Sequence, residues 1–460
     1  MIKACQLIIF VLSSISISRA QHLSNKQLTR ELDRLITAEF RSVAPGCAVL
    51  VAHKGEIVYE RAFGMANLEL AVPMNPQMVF RLGSITKQYT SIAILQLVEQ
   101  GRMSLQDNIQ KYIKGFPDKG NAITIEHLLT HTSGIVGYES LDFHIPDDVR
   151  IDFPPKQIID SLQQRPLLFQ SGSKYNYSNS NYFILGRIIE LVSGKTYKEY
   201  IQQNVLAPLG LTNTFYDDPE AVIPNRVSGY AFKQKNFKNA SYISMFVVYA
   251  AGALMSNVQD LFKWHEALYS YKLVKKATLE KAFTPYKLSD GKPSEYGYGW
   301  FIKDFGGSKS IGHGGAIDGF RSMELYLPGP DIFFTILFNS DNDDFMYLCE
   351  RIVHLFADKK DSYKDLKLPD AVLTSYTGTY QYAGADTGIH VTIKIYLENG
   401  RLYGDLSNGT GSHMAFVPQS ETNFRLTMKT PTQVDFIVEN GKTTKMIVIQ
   451  QQKTEFRRVD

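Results

Sequence analysis

The run from Ile85 to Val98 constrains this chain more than any other segment. It is apolar on most sides, with Ile85, Tyr89, Ile92, Ala93, Ile94, Leu95, Leu97 and Val98. A helix that is apolar all round has no solvent face, so it must be central to a core. Glu99-Gln100-Gly101 ends it, and Gly101 is a natural residue just past a helix C-terminus. Ser84-Ile85-Thr86-Lys87 opens it, after the strand-like Val79-Phe80-Arg81-Leu82 and the turn residue Gly83. A serine and a lysine three apart lie on one helix face. A desolvated lysine beside a hydroxyl eases removal of its proton, which is the chemistry of a serine nucleophile needing no histidine base. A serine at a helix start is also a common N-cap.

Context separates this pattern from its repeats. Ser171-Gly172-Ser173-Lys174 and Ser289-Asp290-Gly291-Lys292 share the spacing but contain glycines and read as loops.

The chain has 460 residues, enough for two or three domains. Hydrophobic content of 44% with 21% charged residues is ordinary for a globular protein. A net charge of +3 is too small to make nucleic acid or an anionic surface the main partner. Residues 1–20 read as a cleaved secretory signal, with Lys3, the apolar run Leu7 to Leu12, and Ser18-Arg19-Ala20 before a mature start at Gln21. The expected location is therefore periplasmic or secreted. No later stretch approaches the roughly 18 apolar residues of a membrane span. Cys47 and Cys349 would remain in the mature chain. An oxidising compartment would let them pair, but each sits in an apolar run where cysteine behaves as a small buried residue.

A helical pattern over Leu28 to Phe40 precedes a strand, Cys47 to Ala52, a hairpin turn at His53-Lys54-Gly55-Glu56, and a return strand, Ile57 to Tyr59. The middle reads as helical, with Ile125–Thr130, Asn181–Val192 and Val258–Ser270. Strands return at Tyr298–Lys303, Ser310–His313, Phe320–Leu327 and Ile332–Asn339, followed by a helix at Phe345–Ala357. Strands from distant segments enclosing a helical middle predict an α+β fold, an antiparallel sheet flanked by helices with a helical subdomain. The charged residues 358–370 read as a linker. From 371 to 460, short alternating runs separated by turns at Glu398-Asn399-Gly400 and Glu439-Asn440-Gly441 predict a small all-β barrel or sandwich. The domains expected are thus 1–20, 21–357, 358–370 and 371–460.

Two further patterns complete a candidate site. Tyr177-Ser178-Asn179 lies between a loop and a helix, and His313-Gly314-Gly315 lies at a strand end. A lysine near Tyr177 would favour its phenolate, making it a general base for Ser84. Asn179 offers an amide to a substrate carbonyl and to the lysine. His313 offers a proton-dependent donor beside a glycine-lined edge. Among 26 tyrosines a Tyr-x-Asn arises by accident, and His53-Lys54-Gly55 is only a turn. His131, in Leu128 to Gly134, reads as a structural histidine. Asp107, Asp217 and Asp318 have no spacing that argues for a carboxylate mechanism, and no Cys, His and acid cluster has metal-ligand spacing. No cofactor is called for.

The order Ser84-x-x-Lys87, Tyr177-x-Asn179, His313-x-Gly315 resembles the serine β-lactamase and penicillin-binding-protein superfamily, specifically its class C-like branch of D,D-carboxypeptidases, D-aminopeptidases and esterases. Similar flanks are Phe80 to Lys87, Leu128 to Gly134, Tyr175 to Tyr182 and Tyr296 to Trp300, and the resemblance covers about residues 28 to 357. The C-terminal module looks like the lipocalin-like domains appended to such hydrolases. The resemblance implies Ser84 as acylated nucleophile, Lys87 and Tyr177 as its proton-transfer system, and Asn179, His313 and Gly315 at the substrate. It places the oxyanion hole at the backbone N–H groups of Ser84 and Ala316. His313-Gly314 replaces the Lys-Thr pair that holds a carboxylate in β-lactamases. The expectation is a secreted serine hydrolase acting on a small ester, amide or peptide, with poor β-lactam turnover. The alternatives are a catalytically weak penicillin-binding or sensing protein, or a peptidoglycan D,D-peptidase.

Overall fold

In a computed structural model, residues 25–37, 43–116, 120, 122–140, 152, 154–233, 236–305, 307–341, 345–356, 366–382, 391–398, 400–407, 414–426, 432–450 and 452–460 are described. The expected signal segment and most of the expected linker lie outside them.

Six strands form one antiparallel sheet: β1 (Cys47–His53), β2 (Glu56–Phe63), β3 (Phe301–Phe305), β4 (Ser308–Ile317), β5 (Phe320–Leu327) and β6 (Ile332–Phe338). Their spatial order is β3-β4-β5-β6-β1-β2. The strand pair β1 and β6 joins segments almost 300 positions apart, with Cys47 opposite Phe338 and His53 opposite Ile332. All of β6 is buried, as a strand covered on both faces must be. Successive side chains point to opposite faces. Accordingly Ala48, Leu50 and Ala52 join the large core on one side, and Cys47, Val49 and Val51 join a smaller one on the other. The smaller core is closed by the helices α1 (Asn25–Thr37) and α6 (Phe345–His354), which contact each other. Cys47 and Cys349 both lie in it as free, buried thiols.

The larger core surrounds α2 (Thr86–Glu99). Its residues Ile92, Ala93, Ile94, Leu95 and Leu97 are fully buried or nearly so, and each large aliphatic side chain contributes about 1.5–3 kcal/mol by leaving water. Around it stand α3 (Asn179–Ser193) and α4 (Met245–Gly252), while α5 (Val258–Tyr269) packs on β1 and β6. Gly101 ends α2 with φ +68°, and the N–H groups of Gly101 and Arg102 return to the carbonyls of Val98 and Leu97.

Beyond residue 366 the chain first forms a short helix, Asp370–Ser375, where a linker and then only strands were expected. Pro369 precedes it, and it carries Leu373 and the following Tyr376 into the next core. Eight strands then close a barrel between Gly378 and Arg458. Tyr380 opposite Arg458 completes the closure. The inside is filled by side chains including Phe416, Phe424, Phe436 and Met446. Asn440 and Gly441, with φ +51° and +74°, form the tight turn that their sequence predicts. The barrel reaches the sheet's rear helix through an ion pair, Arg425 Nη2 to Glu350 Oε2 at 2.6 Å.

Candidate active site

Ser84 sits in a single tight helical turn, Gly83–Ile85, that runs directly into α2. It is the one partly exposed residue in a buried stretch from Leu82 to Leu95. A chain that buries everything except one hydroxyl presents that hydroxyl. Gly83 has φ +53°, and a Cβ there would lie 3.0 Å from the Ala316 nitrogen. Only glycine lets the turn approach β4 this closely in this conformation. Gly315 is required for the same approach from the other side: its Cβ would fall 1.9 Å from the Leu82 carbonyl oxygen. Ser322 Oγ donates to that carbonyl at 2.7 Å and pins the contact. Gly315 therefore acts as a spacer that seats exposed Ala316 beside Ser84.

Lys87 is fully buried. Its Nζ donates to Ser84 Oγ at 2.9 Å, Asn179 Oδ1 at 2.7 Å and the Ala251 carbonyl at 2.8 Å. Three donors meet three acceptors, so the ammonium is satisfied despite its burial. Burial still lowers its pKa to about 7, opposed in part by the nearby Glu139 carboxylate. Near neutral pH a substantial fraction is the free amine.

Tyr177 stands beside Ser84, and Lys87 Nζ lies over its ring, 4.9 Å from the centroid. The expectation that Lys87 would favour a phenolate here is corrected. Burial dominates and raises the Tyr177 pKa well above the ordinary tyrosine value, with the Ser84 hydroxyl opposing it and the neighbouring tyrosines adding to it. At rest Tyr177 is a phenol.

Asn179 is the first residue of α3, two positions earlier than the helix was expected to begin. The Lys87 ammonium can only donate, so the Asn179 carbonyl oxygen turns to it. Its amide then donates to Glu139 Oε1. Glu139, in the short turn Tyr138–Ser140, was not anticipated. It meets Asn179 from 40 positions away and carries no local signature.

His313 is buried in β4. Its Nδ1 lies 2.6 Å from the Gly314 carbonyl and its Nε2 2.9 Å from the Tyr296 hydroxyl. A carbonyl only accepts, so Nδ1 carries the proton and Nε2 receives the tyrosine hydrogen. Burial pushes its pKa down to about 3, with the Lys87 charge adding to the effect. The expectation of a proton-dependent donor toward a substrate is corrected: both ring nitrogens are engaged internally and the ring is neutral.

His131 is likewise buried and neutral, through burial first and the Lys87 charge after it. Its Nδ1 receives the Ser178 N–H at 3.2 Å, its carbonyl receives the Asn176 N–H, and its ring lies 4.3 Å from that of Tyr177. It braces the Tyr177 loop. The two repeat patterns lie elsewhere, as structural serines: Ser171 Oγ donates to the Ser133 carbonyl, and Ser289 contacts the Gly172 carbonyl through its N–H and hydroxyl. Asp217 is buried between Arg81 and Arg226, a structural pairing.

A hydroxyl hydrogen-bonded to a buried lysine and set beside a phenol, against a glycine-fitted strand, sits inside a region that matches a known family. Residues 32–356 match the beta-lactamase family model. The chain belongs to the beta-lactamase family. It is thereby a serine hydrolase, one with an appended C-terminal eight-stranded barrel. Among curated relatives, a penicillin-binding protein of Bacillus subtilis (strain 168) is 29% identical over 405 residues, covering 82% of this chain and 87% of the relative. Among solved structures, an octameric penicillin-binding protein homologue from Pyrococcus abyssi has a TM-score of 0.66 at 24% identity, covering 95% of this chain and 100% of that one. A D-amino acid amidase from Ochrobactrum anthropi SV3, complexed with D-phenylalanine, has a TM-score of 0.61 at 21% identity and covers 72% of this chain and 98% of that one. The beta-lactamase fold is common to both. Among the described residues no helix is long and apolar enough to cross a membrane.

Proposed function

We propose that this beta-lactamase-family member is a periplasmic or secreted acyl-transfer hydrolase of small esters, amides or peptides. The observation that carries the reading is Lys87 Nζ, 2.9 Å from Ser84 Oγ, with its pKa lowered to about 7. In this reading the Lys87 amine takes the Ser84 proton as Oγ attacks the substrate carbonyl. The oxyanion forms beside the N–H groups of Ser84 and Ala316. Tyr177, a phenol beside Ser84, passes its proton to the leaving group as the C–N or C–O bond breaks, and is reprotonated from the Lys87 ammonium. Water then repeats the attack on the acyl-enzyme.

The substrate side favours molecules without a carboxylate near the scissile bond. His313 is neutral and occupied, Gly314 has no hydroxyl, and the exposed Glu139 carboxylate stands beside Asn179. Like charge repels a substrate carboxylate, while a substrate ammonium is attracted. Amides and esters of amino acids with a free amine should therefore be preferred over penicillins.

A fluorescent penicillin or fluorophosphonate should label the wild type and not Ser84→Ala. Absence of Ser84-dependent labelling together with absence of p-nitrophenyl ester hydrolysis would remove the reading. Nitrocefin turnover near that of dedicated β-lactamases would overturn the substrate preference.

A further inference from the structure

Lys87 is faced from α4 by a segment with an unusual backbone. Tyr249 lies within that helix, yet has φ +39° and ψ −130°. Positive φ is natural to glycine, and a tyrosine held there is strained. Packing over-determines it. The Tyr249 ring lies 5.1 Å from the ring of Phe183 and 5.1 Å from that of Tyr197, centroid to centroid. Gly186 of α3 lies against it so closely that a Cβ there would come within 2.6 Å of Tyr249 Cε1 and 2.4 Å of Ala250 Cβ.

The kink has a consequence for α2. The Ala250 carbonyl accepts from Thr90 Oγ1 at 2.7 Å, and the Ala251 carbonyl accepts from Lys87 Nζ at 2.8 Å. The Leu254 N–H donates to Thr86 Oγ1 at 3.1 Å. α4 ends at Gly252, so both carbonyls belong to its last turn and have no N–H partner within the helix. The backbone turns at Tyr249 just before them, and they meet the start of the helix that carries the lysine.

We propose that Tyr249 is a positioning residue for Lys87: its ring, locked over Gly186, holds the kink that presents the Ala251 carbonyl to the lysine nitrogen. The inference rests on the reading of Lys87 as the group that receives the Ser84 proton. Without the ring, residues 249–252 relax toward ordinary helix and the Ala251 carbonyl swings away. The ammonium then has two acceptors for three donors, so the neutral amine is favoured, and the amine is also less well aimed at Ser84. The other titratable groups facing Lys87 are Glu139, Tyr177, Tyr182, His131 and His313, and none of them is altered.

The test compares full-length wild type, Tyr249→Ala, Gly186→Ala and Tyr249→Phe. Acylatable sites are counted with a fluorescent penicillin or fluorophosphonate, and kcat/KM for an activated ester is measured against pH. Tyr249→Ala and Gly186→Ala should each lose about tenfold to a hundredfold in kcat/KM per acylatable site, the scale of a small misplacement at a reacting centre. Their acidic limb should move to lower pH, and Tyr249→Phe should restore both rate and limb. If Tyr249→Ala melts earlier but keeps the wild-type limb and per-site rate, the ring is only structural and the inference is overturned. If Tyr249→Ala fails to fold, Gly186→Ala decides by the same two readouts. A wild type without Ser84-dependent labelling overturns the functional reading and this inference together, whereas a labelled wild type whose limb is indifferent to both variants overturns the inference alone.

Discussion

The two walls of the site bury a basic side chain each, and burial treats them differently. On the helix wall, Lys87 loses all contact with water but keeps three acceptors, and its pKa comes to rest at about 7. On the strand wall, His313 is equally enclosed, and its pKa falls to about 3. Desolvation lowers both. A lysine begins high enough that the same penalty leaves it poised at neutral pH, whereas a histidine begins near neutrality and is pushed out of use. In the proposed mechanism the helix wall supplies the base, and the strand wall supplies the Ala316 N–H on a rigid edge whose histidine is neutral.

The sharpest way to break this contrast is to remove the poised base. Lys87→Met should lower kcat/KM for an activated ester by about a thousandfold or more, the scale seen when an acyl-transfer base is removed. A fall of less than tenfold would mean that another group takes the Ser84 proton. The strand wall should matter through shape. Gly315→Ala places a methyl where the Leu82 carbonyl now lies. It should cost about a hundredfold in kcat/KM by displacing Ala316 from Ser84, with unchanged activity refuting the role of that close approach.

The pH profile separates the two basic groups. Lys87 has its pKa lowered from the ordinary 10.5 to about 7. Below that pH the ammonium dominates and cannot accept a proton; above it the free amine can. Thus kcat/KM should rise through about pH 7 to a plateau. His313, already neutral, should add no limb between pH 5 and 9. A rate that falls as pH rises through 7 would contradict the assignment of Lys87 as base. The smallest effect expected is that of Tyr296→Phe. It leaves His313 Nε2 without its donor and should cost about 1–3 kcal/mol of stability, with kcat/KM nearly unchanged. A large loss of activity in a stable variant would give the Tyr296–His313 pair a chemical role after all.

Much of this was open to a reader of the chain. The serine and lysine three apart, the all-round apolar run behind them and Gly101 at its end are local features, because helix geometry alone sets which residues meet. The barrel was visible in period-two alternation and in Asn440-Gly441, since pleat and turn are also local. Glu139 was not visible, because it is one glutamate in a loop and reaches Asn179 only across 40 intervening positions. Tyr296 lay within a flank of the resemblance, but its hydrogen bond to His313 depends on how β4 and its preceding loop pack. The helix over Asp370–Ser375 was masked by the charged residues before it, and only its docking of Leu373 and Tyr376 into the barrel reveals why it forms.

By itself the sequence determined the classes of element, their order, and a short list of residues able to do acyl-transfer chemistry. The tertiary structure decided the protonation states. Tyr177 is a phenol and His313 a neutral imidazole because desolvation depends on everything packed around a group, not on its neighbours in the chain. It also decided that Gly315 is a spacer and that Ala251 is an acceptor for Lys87, because carbonyl directions follow from how separate segments pack together.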